Sequence, residues 1–274
     1  MPIEGTADEI IQKQATDIIH LALCSDLRRS ILVFLSNGKK SLGDLREKLN
    51  VSSTTAIHAL RELEKHNLTF QDHERNYQLT TIGTVVTYKI TDFCNTAEAL
   101  TRTKEIFLQH DISGIPLSLL QKLGCLKEAT IITIDSTDLY KIHDIFMNSL
   151  KGAKEINGIS PIFVSDYPTV FEEILNHQVE VELIVTADVL EKVVQAADKE
   201  NLRRALDKNL KLYIIKQNPK VAFTSTNKSI FLGLYNLSGS YDVSKLLMGQ
   251  SNKAIEWGRL LFEHYVRLST RITL

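Results

Sequence analysis

The chain has 274 residues, 43% of them hydrophobic and 24% charged, and no apolar run approaches membrane-spanning length. That is the composition of one large or two ordinary globular domains, and it excludes a membrane span and a disordered tail as the main body of the chain. The net charge of −1 does not by itself mark a nucleic-acid binder, but the sign varies along the chain: residues 27–80 carry nine Lys/Arg against six acids, residues 1–26 carry Lys13 against five acids, and residues 81–109 and 110–274 are balanced at three and nineteen of each.

Met1–Thr6 is polar and lacks the apolar core of a signal peptide, so a cytoplasmic protein is expected. Three short helical patterns follow the first amphipathic stretch, Ile10–Leu23. Ser25 caps a helix with Leu27, Ile31 and Leu35 on one face, ended by Gly38. Ser41 and Asp44 form a short capping box before Leu42, Leu45 and Leu49. After the connection Asn50-Val51-Ser52-Ser53, a third helix over Thr54–His66 buries Ala56, Ile57, Leu60 and Leu63 and turns Thr54, Thr55, His58, Arg61, Glu62 and Lys65 outward.

Hydroxyls and basic groups at the N-terminal half of such a helix suit a DNA groove: the hydroxyls donate to phosphates or bases, and Arg61 reaches a guanine edge or a phosphate. The period then changes to two. Thr69–His73 and Tyr77–Leu79 read as strands around Glu74-Arg75-Asn76, a β-hairpin wing with Arg75 at its tip. The expected DNA-contacting residues are therefore Ser53, Thr54, Thr55, His58, Arg61, Lys65 and Arg75, on double-stranded DNA. The alternative is a winged helix that docks a protein in transcription or signalling and never reads sequence.

The pattern Leu42-x-x-Leu45-x-x-x-Leu49-x-Val51-Ser52, followed by His58-Ala59-Leu60-x-x-Leu63-x-x-x-x-Leu68, resembles archaeal and bacterial winged-helix repressors of the broad arsenical-repressor type. The metal-binding cysteine motif of those repressors is absent, so metal sensing is not carried over. Cys24, Cys94 and Cys125 are odd in number and far apart, which argues against a disulfide framework or zinc ribbon. Three packed thiols are expected, with a redox role left open.

Residues 81–109 contain no Pro and only Gly83. Val86, Ile90, Phe93, Ala97, Leu100 and Phe107 fall on a 4-3 seam interrupted by Lys104, which predicts a connecting helix that dimerises the chain and sets half-site spacing, or packs on its own C-terminal domain.

From Asp111 onward, apolar runs at Thr130–Ile134, Ile159–Val164, Glu180–Val185 and Leu210–Ile215 alternate with helical patterns at Leu139–Leu150, Thr169–His177 and Leu190–Leu206. This predicts a largely parallel sheet covered on both faces. Val221–Ser225 and Ser229–Tyr235 read as a hairpin, and a last helix, Lys253–Leu268, buries Ala254, Trp257, Leu261, Tyr265 and Leu268. His110-Asp111-x-x-x-Ile115-Pro116, Ile159-Ser160-Pro161 and Trp257-Gly258-x-x-Leu261-Phe262-x-x-Tyr265 resemble, in order and spacing, the effector half of the archaeal winged-helix regulators named for control of methanogenesis.

That resemblance implies a two-domain transcription regulator whose effector half is related in shape to the phospholipase-D-like fold. Such catalysis needs a His with a Lys two residues on, and His110, His143, His177 and His264 are followed at that spacing by Ile112, Ile145, Val179 and Val266. No phosphate loop, nucleophile elbow or metal-binding His pair is present either, so no enzyme is expected. A ligand pocket is expected instead at the C-terminal ends of parallel strands, at Asp135, Ser136, Ser165, Asp166, Thr186 and Lys216, where hydroxyls and carboxylates either hold a small polar metabolite or cap the next helix.

The sequence thus predicts a mixed α+β and α/β chain: a winged helix-turn-helix over 1–80, a connecting helix over 81–109 and an α/β effector domain over 110–274. It is expected to work as a homodimer modulated by a small-molecule effector, with no cofactor, no metal and no membrane partner.

Overall fold

The computed structural model describes residues 6–134, 141–164, 170, 174–175 and 179–272. The described residues mix helix and strand and divide into two compact units, 1–94 and 95–274. Among them no helix is long and apolar enough to cross a membrane.

The first unit begins with α1 (Ala7–Leu23), α2 (Asp26–Leu35), α3 (Leu42–Leu49) and α4 (Ser53–Lys65). Each starts where a Thr or Ser side chain accepts a backbone N–H of the first turn: Thr6, Ser25, Ser41 and Ser52. Asn50, in the left-handed region at φ 52°, ends α3 and turns the chain into α4 within three residues. The strands β1 (Thr69–Gln71) and β2 (Tyr77–Leu79) pair antiparallel. The helix α5 (Thr81–Arg102) then leaves the hairpin, its first turn capped by the Thr80 hydroxyl, which accepts from Gly83 N at 2.9 Å. Only glycine fits there, because a Cβ on Gly83 would lie 1.8 Å from the Leu68 carbonyl oxygen. The core of this unit is Leu21, Ile31, Leu32, Leu45, Leu60, Leu63, Leu68 and Ile90 with their neighbours.

The second unit contains α6 (Lys104–Gln109), β3 (His110–Asp111), α7 (Leu117–Leu120), a 3-10 turn (Leu123–Leu126), β4 (Thr130–Thr133), α8 (Lys141–Leu150), β5 (Glu155–Ser160), β6 (Glu180–Thr186), α9 (Ala187–Ala196), α10 (Lys199–Lys208), β7 (Leu210–Ile215), β8 (Val221–Thr226), β9 (Ile230–Asn236), β10 (Lys245–Gly249), α11 (Asn252–Arg267) and β11 (Thr270–Arg271). Among the described residues nine strands form one sheet in the order β11-β7-β6-β5-β8-β9-β10-β4, with β3 beside β9.

The expectation of a largely parallel sheet is corrected. Among the described strands only β5-β6-β7 run parallel, and every other pairing is antiparallel. Strands 8, 9 and 10 follow one another through short connections without a crossover helix, which forces antiparallel neighbours. Other boundaries shift as well. The strand expected at Ile159–Val164 is β5, which already ends at Ser160; the helical pattern over Leu190–Leu206 is the pair α9 and α10; and Leu268 is exposed beyond the end of α11. Most of the helix expected over Thr169–His177 lies outside the described residues.

One face of this sheet carries a continuous core. Trp257, Leu261 and Tyr265 of α11 pack with Ile184, Ile215, Phe223, Leu232 and Leu247 from five strands. Polar groups buried there are paired: Trp257 Nε1 donates to Leu119 O at 3.0 Å, and the Tyr265 hydroxyl lies 2.6 Å from Gly114 O and 2.7 Å from Pro219 O. The His110-Asp111 pair belongs to the same knot. His110 lies 2.9 Å from both Ile106 O and Asp242 Oδ2, and Lys220 Nζ lies 2.7 Å from Asp111 Oδ2. Burial alone would raise the Asp242 carboxyl; the hydrogen bonds from Ser244 and His110 outweigh it and hold it below the usual range.

Candidate nucleic-acid interface and ligand cavity

The helix α4 buries Ala56, Ala59, Leu60 and Leu63. Ala59 takes part of the place expected of Ile57, which is half-buried. This leaves Thr54, Thr55, His58, Arg61 and Lys65 exposed, with Ser53 half-buried at the first position. Thr54, His58, Arg61 and Lys65 make no side-chain hydrogen bond or ion pair among the described residues. Thr55 is less available: its hydroxyl lies 2.8 Å from Ser52 Oγ, and its N–H donates to that oxygen at 3.1 Å. One of the backbone donors expected to be open at this helix start is therefore spent on the cap. Glu64, part-buried on the flank, has its carboxyl raised by burial, opposed by the charge of Arg61.

The hairpin tip is organised by Asp72. Its Oδ1 accepts from Glu74 N at 2.9 Å and Asn76 N at 2.8 Å, and Lys39 spans to Glu74 at 2.6 Å. Arg75 sits at the apex with φ 63°, exposed and without an ion pair among the described residues. Two other cations of the basic segment are committed internally. Arg28 Nε donates to Leu21 O at 2.7 Å and Arg29 to Leu23 O at 3.1 Å, closing the carbonyl end of α1.

The six seam residues do not form one exposed stripe. Val86 and Ile90 pack into the core of the first unit and Phe107 into that of the second, while Phe93, Ala97 and Leu100 are exposed. The helix also stops at Arg102, and a buried Thr103 precedes α6. The exposed apolar side chains of α5 are instead Ile82, Val85, Tyr88, Phe93 and Leu100, and α1 exposes Ile10, Ile11 and Ile19.

In the second unit the face opposite α11 holds a cavity of about 910 Å³. Its floor is Gly158 and Ser160 of β5 and Ala222 and Thr224 of β8; Phe146, Phe231 and Leu246 stand on one side, and Val185, Val189 and Leu212 on the other. Of the six residues expected to bind an effector, only Thr186 and Lys216 are described, and neither is among the lining residues. Asp135, Ser136, Ser165 and Asp166 lie outside the described residues, Thr186 is the half-buried cap position of α9, and Lys216 is exposed just past β7. The expectation took every strand end as part of a parallel edge. The strand β4, which precedes Asp135, instead pairs antiparallel with β10, and β5 ends well before Ser165. The sequence signal for the cavity is glycine and other small residues inside strands, which mark places where space is left or another group approaches.

Two family models match this chain: the N-terminal domain of the methanogenesis regulatory protein FilR1 over residues 16–98, and its middle domain over residues 139–268. The chain belongs to the FilR1 family. The methanogenesis regulatory protein FilR1 of Methanothrix harundinacea (strain 6Ac) is 26% identical over 254 residues, an alignment that takes in 90% of this chain and 56% of the relative, so the chain spans about half the length of that FilR1. The FilR1 N-terminal domain covers α2 through most of α5, and the FilR1 middle domain covers the cavity and its sheet from α8 to the end of α11. Among solved structures, the archaeal chromatin protein TrmBL2, described as showing a novel mode of DNA binding, aligns over 88% of this chain and 91% of its own at 14% identity and a TM-score of 0.43. Phosphatidylserine synthase of Haemophilus influenzae Rd KW20 aligns over 53% and 40% at 12% identity and a TM-score of 0.36. Likenesses that distant carry no functional argument.

Proposed function

We propose that the chain is a sequence-specific DNA-binding transcription regulator in which α2–α4 and the β1-β2 hairpin act as a winged helix-turn-helix. In this reading α4 enters the major groove with Thr54, His58 and Arg61 toward base edges, Ser53 and Lys65 contact phosphates, and Arg75 reaches the backbone or minor groove. The single observation that supports it is that Thr54, His58, Arg61 and Lys65 stand on α4 without a side-chain partner among the described residues, over a fully buried Ala56-Leu60-Leu63 stripe. Membership in a family named for a regulatory protein agrees with it.

The regulator works as a homodimer, because one recognition helix reads only one half-site. The exposed apolar side chains of α1 and α5 are the surface on which two copies meet. The second unit binds a small molecule and shifts the dimer between DNA-competent and DNA-incompetent arrangements, acting through its different affinity for the two.

The test is fluorescence anisotropy of labelled DNA from the gene's own upstream region. Binding is expected to weaken steeply with added salt, and Arg61→Ala to cost about 1–3 kcal/mol while relaxing preference at one base position. Salt-insensitive binding to a protein partner with no binding to DNA would sink the proposal and leave a docking module.

A further inference from the structure

We infer that the cavity opposite α11 binds an amphiphile: a molecule with a mostly apolar aliphatic or aromatic body and a single uncharged or carboxylate head. The inference rests on the reading that the second unit senses a small molecule, and it assigns that molecule's chemistry.

The first argument is how the space arises. On this face α8 packs on β4 at one side of the sheet, and α9 and α10 pack on β6 and β7 at the other. The hydrophobic side chains here do not merge into one core. They form separate clusters, one around Phe231 and Leu246, another around Val185, Val189 and Leu212, and a third around Ile156, Val181 and Leu210. Between them the strands carry small residues. Gly158 faces Thr224 across β5-β8, and Ala222 faces Gly233 across β8-β9. The Tyr241 hydroxyl lies over Gly233, where a Cβ would come within 2.1 Å of it. Protein interiors ordinarily close such gaps, and a cavity of about 910 Å³ is within the size range of pockets that hold drug-sized ligands.

The second argument is the chemistry of the lining. Phe146 and Phe231 meet edge to face with ring centroids 5.5 Å apart, and Leu183, Val189 and Leu212 present aliphatic surface to the same space. Desolvating a sugar or a polyanion against these groups would be unfavourable, because they return no hydrogen bonds. Most of the polar lining is committed or faces water: Ser160 donates to Ile162 O, Asp198 caps α10, Asn209 donates to Leu175 O and Val179 O, Lys245 bonds Gln109, Arg204 pairs with Glu200, and Glu180 and Lys208 are exposed. The Thr224 hydroxyl, on the floor beside Gly158, and the His143 imidazole, on α8, make no hydrogen bond among the described residues. Either serves one head group: the hydroxyl donates to a carbonyl or carboxylate oxygen, and the imidazole donates to it or accepts from an alcohol. An apolar pocket with few placed polar groups is the usual design of a small-molecule site.

The experiment uses the full chain and two defined probes, dodecanoic acid and dodecan-1-ol, with glucose as the polar comparison, read by isothermal titration calorimetry and by the shift in Tm. At least one C12 probe is expected to bind at one molecule per chain and raise Tm, with glucose silent. Ala222→Phe, which fills the space over the floor, is expected to abolish binding with Tm equal to or above wild type, so that loss of binding is not loss of fold. Thr224→Val keeps the shape and removes the hydroxyl, and is expected to weaken the preferred probe about two- to tenfold.

Binding of glucose in place of both probes would overturn the inference. So would probe binding that survives Ala222→Phe, or no probe binding while Ala222→Phe simply stabilises the protein, which would make the cavity a packing gap. Anisotropy on upstream DNA with and without the bound probe separates the two readings. Unchanged DNA affinity with Ala222-dependent probe binding supports the ligand class and removes the regulatory coupling, whereas loss of DNA binding in all states with probe binding intact removes the DNA reading alone.

Discussion

The two faces of the nine-stranded sheet are built from the same strands and are packed to opposite ends. Against α11, alternate residues of β5, β6, β8 and β9 meet one helix carrying Trp257, Leu261, Phe262 and Tyr265, and the result is one continuous core with its buried polar groups paired. On the other face the intervening residues of β5, β8 and β9 include Gly158, Ser160, Ala222, Thr224 and Gly233 beside Ile156 and Phe231, and the helices stand apart around a cavity. Strand alternation sends successive side chains to opposite faces, so a single strand can serve a rigid core and a yielding pocket at once. The difference teaches that stability is concentrated on one side of the domain and adaptability on the other.

The largest expected effect is at Trp257. Truncation to Ala removes the biggest fully buried side chain and its indole bond to Leu119 O, for a loss of about 3–5 kcal/mol in urea unfolding. Leu190→Ala, at the half-buried wall of the cavity, is expected to cost about 1 kcal/mol, since its neighbours already border empty space. Equal losses would break the comparison.

Two glycines sharpen it. A Cβ on Gly258 of α11 would lie 2.6 Å from Ile230 Cγ2 and 2.8 Å from Phe223 Cζ, both locked in the core, so Gly258→Ala is expected to cost about 1–3 kcal/mol by overpacking. A Cβ on Gly158 would also meet a carbon at 2.6 Å, but that atom is Leu183 Cδ2, the end of a side chain with the cavity beside it. Gly158→Ala is therefore expected to fall within about 0.5 kcal/mol of wild type, as substitutions that meet no fixed neighbour do. The clash distances match, so a difference in Tm between the two variants reports the freedom of the surroundings.

Tyr265→Phe comes next, at about 1–3 kcal/mol. It leaves the carbonyls of Gly114 and Pro219 without their shared donor in a place water does not reach. Burial pushes this phenol up to about 12, so the hydroxyl stays protonated at any ordinary pH and the loss is expected to be the same at neutral and mildly alkaline pH. A loss that changes between those conditions would mean the hydroxyl is not buried as described.

How much of this was legible follows from where the information lies. The buried stripe of α4 is a local 3.6-residue pattern, and reading it put Thr54, His58, Arg61 and Lys65 on the open face; the same pattern could not tell Ile57 from Ala59, which flank the stripe. The seam on α5 is not one exposed stripe because that helix is apolar on more than one side: Val86 and Ile90 turn inward, while Ile82, Val85 and Tyr88 stay outside. Periodicity finds an apolar face without saying what covers it. Strand direction was hidden, since apolar runs look alike whether the next strand returns through a crossover or a hairpin, and β5, with Glu155, Asn157 and Gly158 in it, is a weaker pattern than the run that follows. The cavity draws on residues from nine of the described elements, far apart in the chain, and its one local sign was a glycine within a strand, at 158.

A small effect, and one that depends on pH, is expected at the rim of the packed face. The Lys220 ammonium hydrogen-bonded to Asp111, together with Ser113, holds that carboxyl down to about 2. An unfolded aspartate titrates near about 3.9, so the folded state favours the carboxylate, and the stabilisation is fully present above that value and lost as pH falls through about 2. Lys220 is half-exposed, which limits the pair to about 0.5–1 kcal/mol at neutral pH. Comparing urea midpoints of wild type and Asp111→Asn across the acid range should show a gap that is constant from neutral pH down to about 4 and closes below it. A gap that persists unchanged to the lowest pH at which both proteins fold would assign the residue's contribution to its backbone bond with Ser113, which an asparagine oxygen can also accept, and would take the Lys220 charge out of the account of this face.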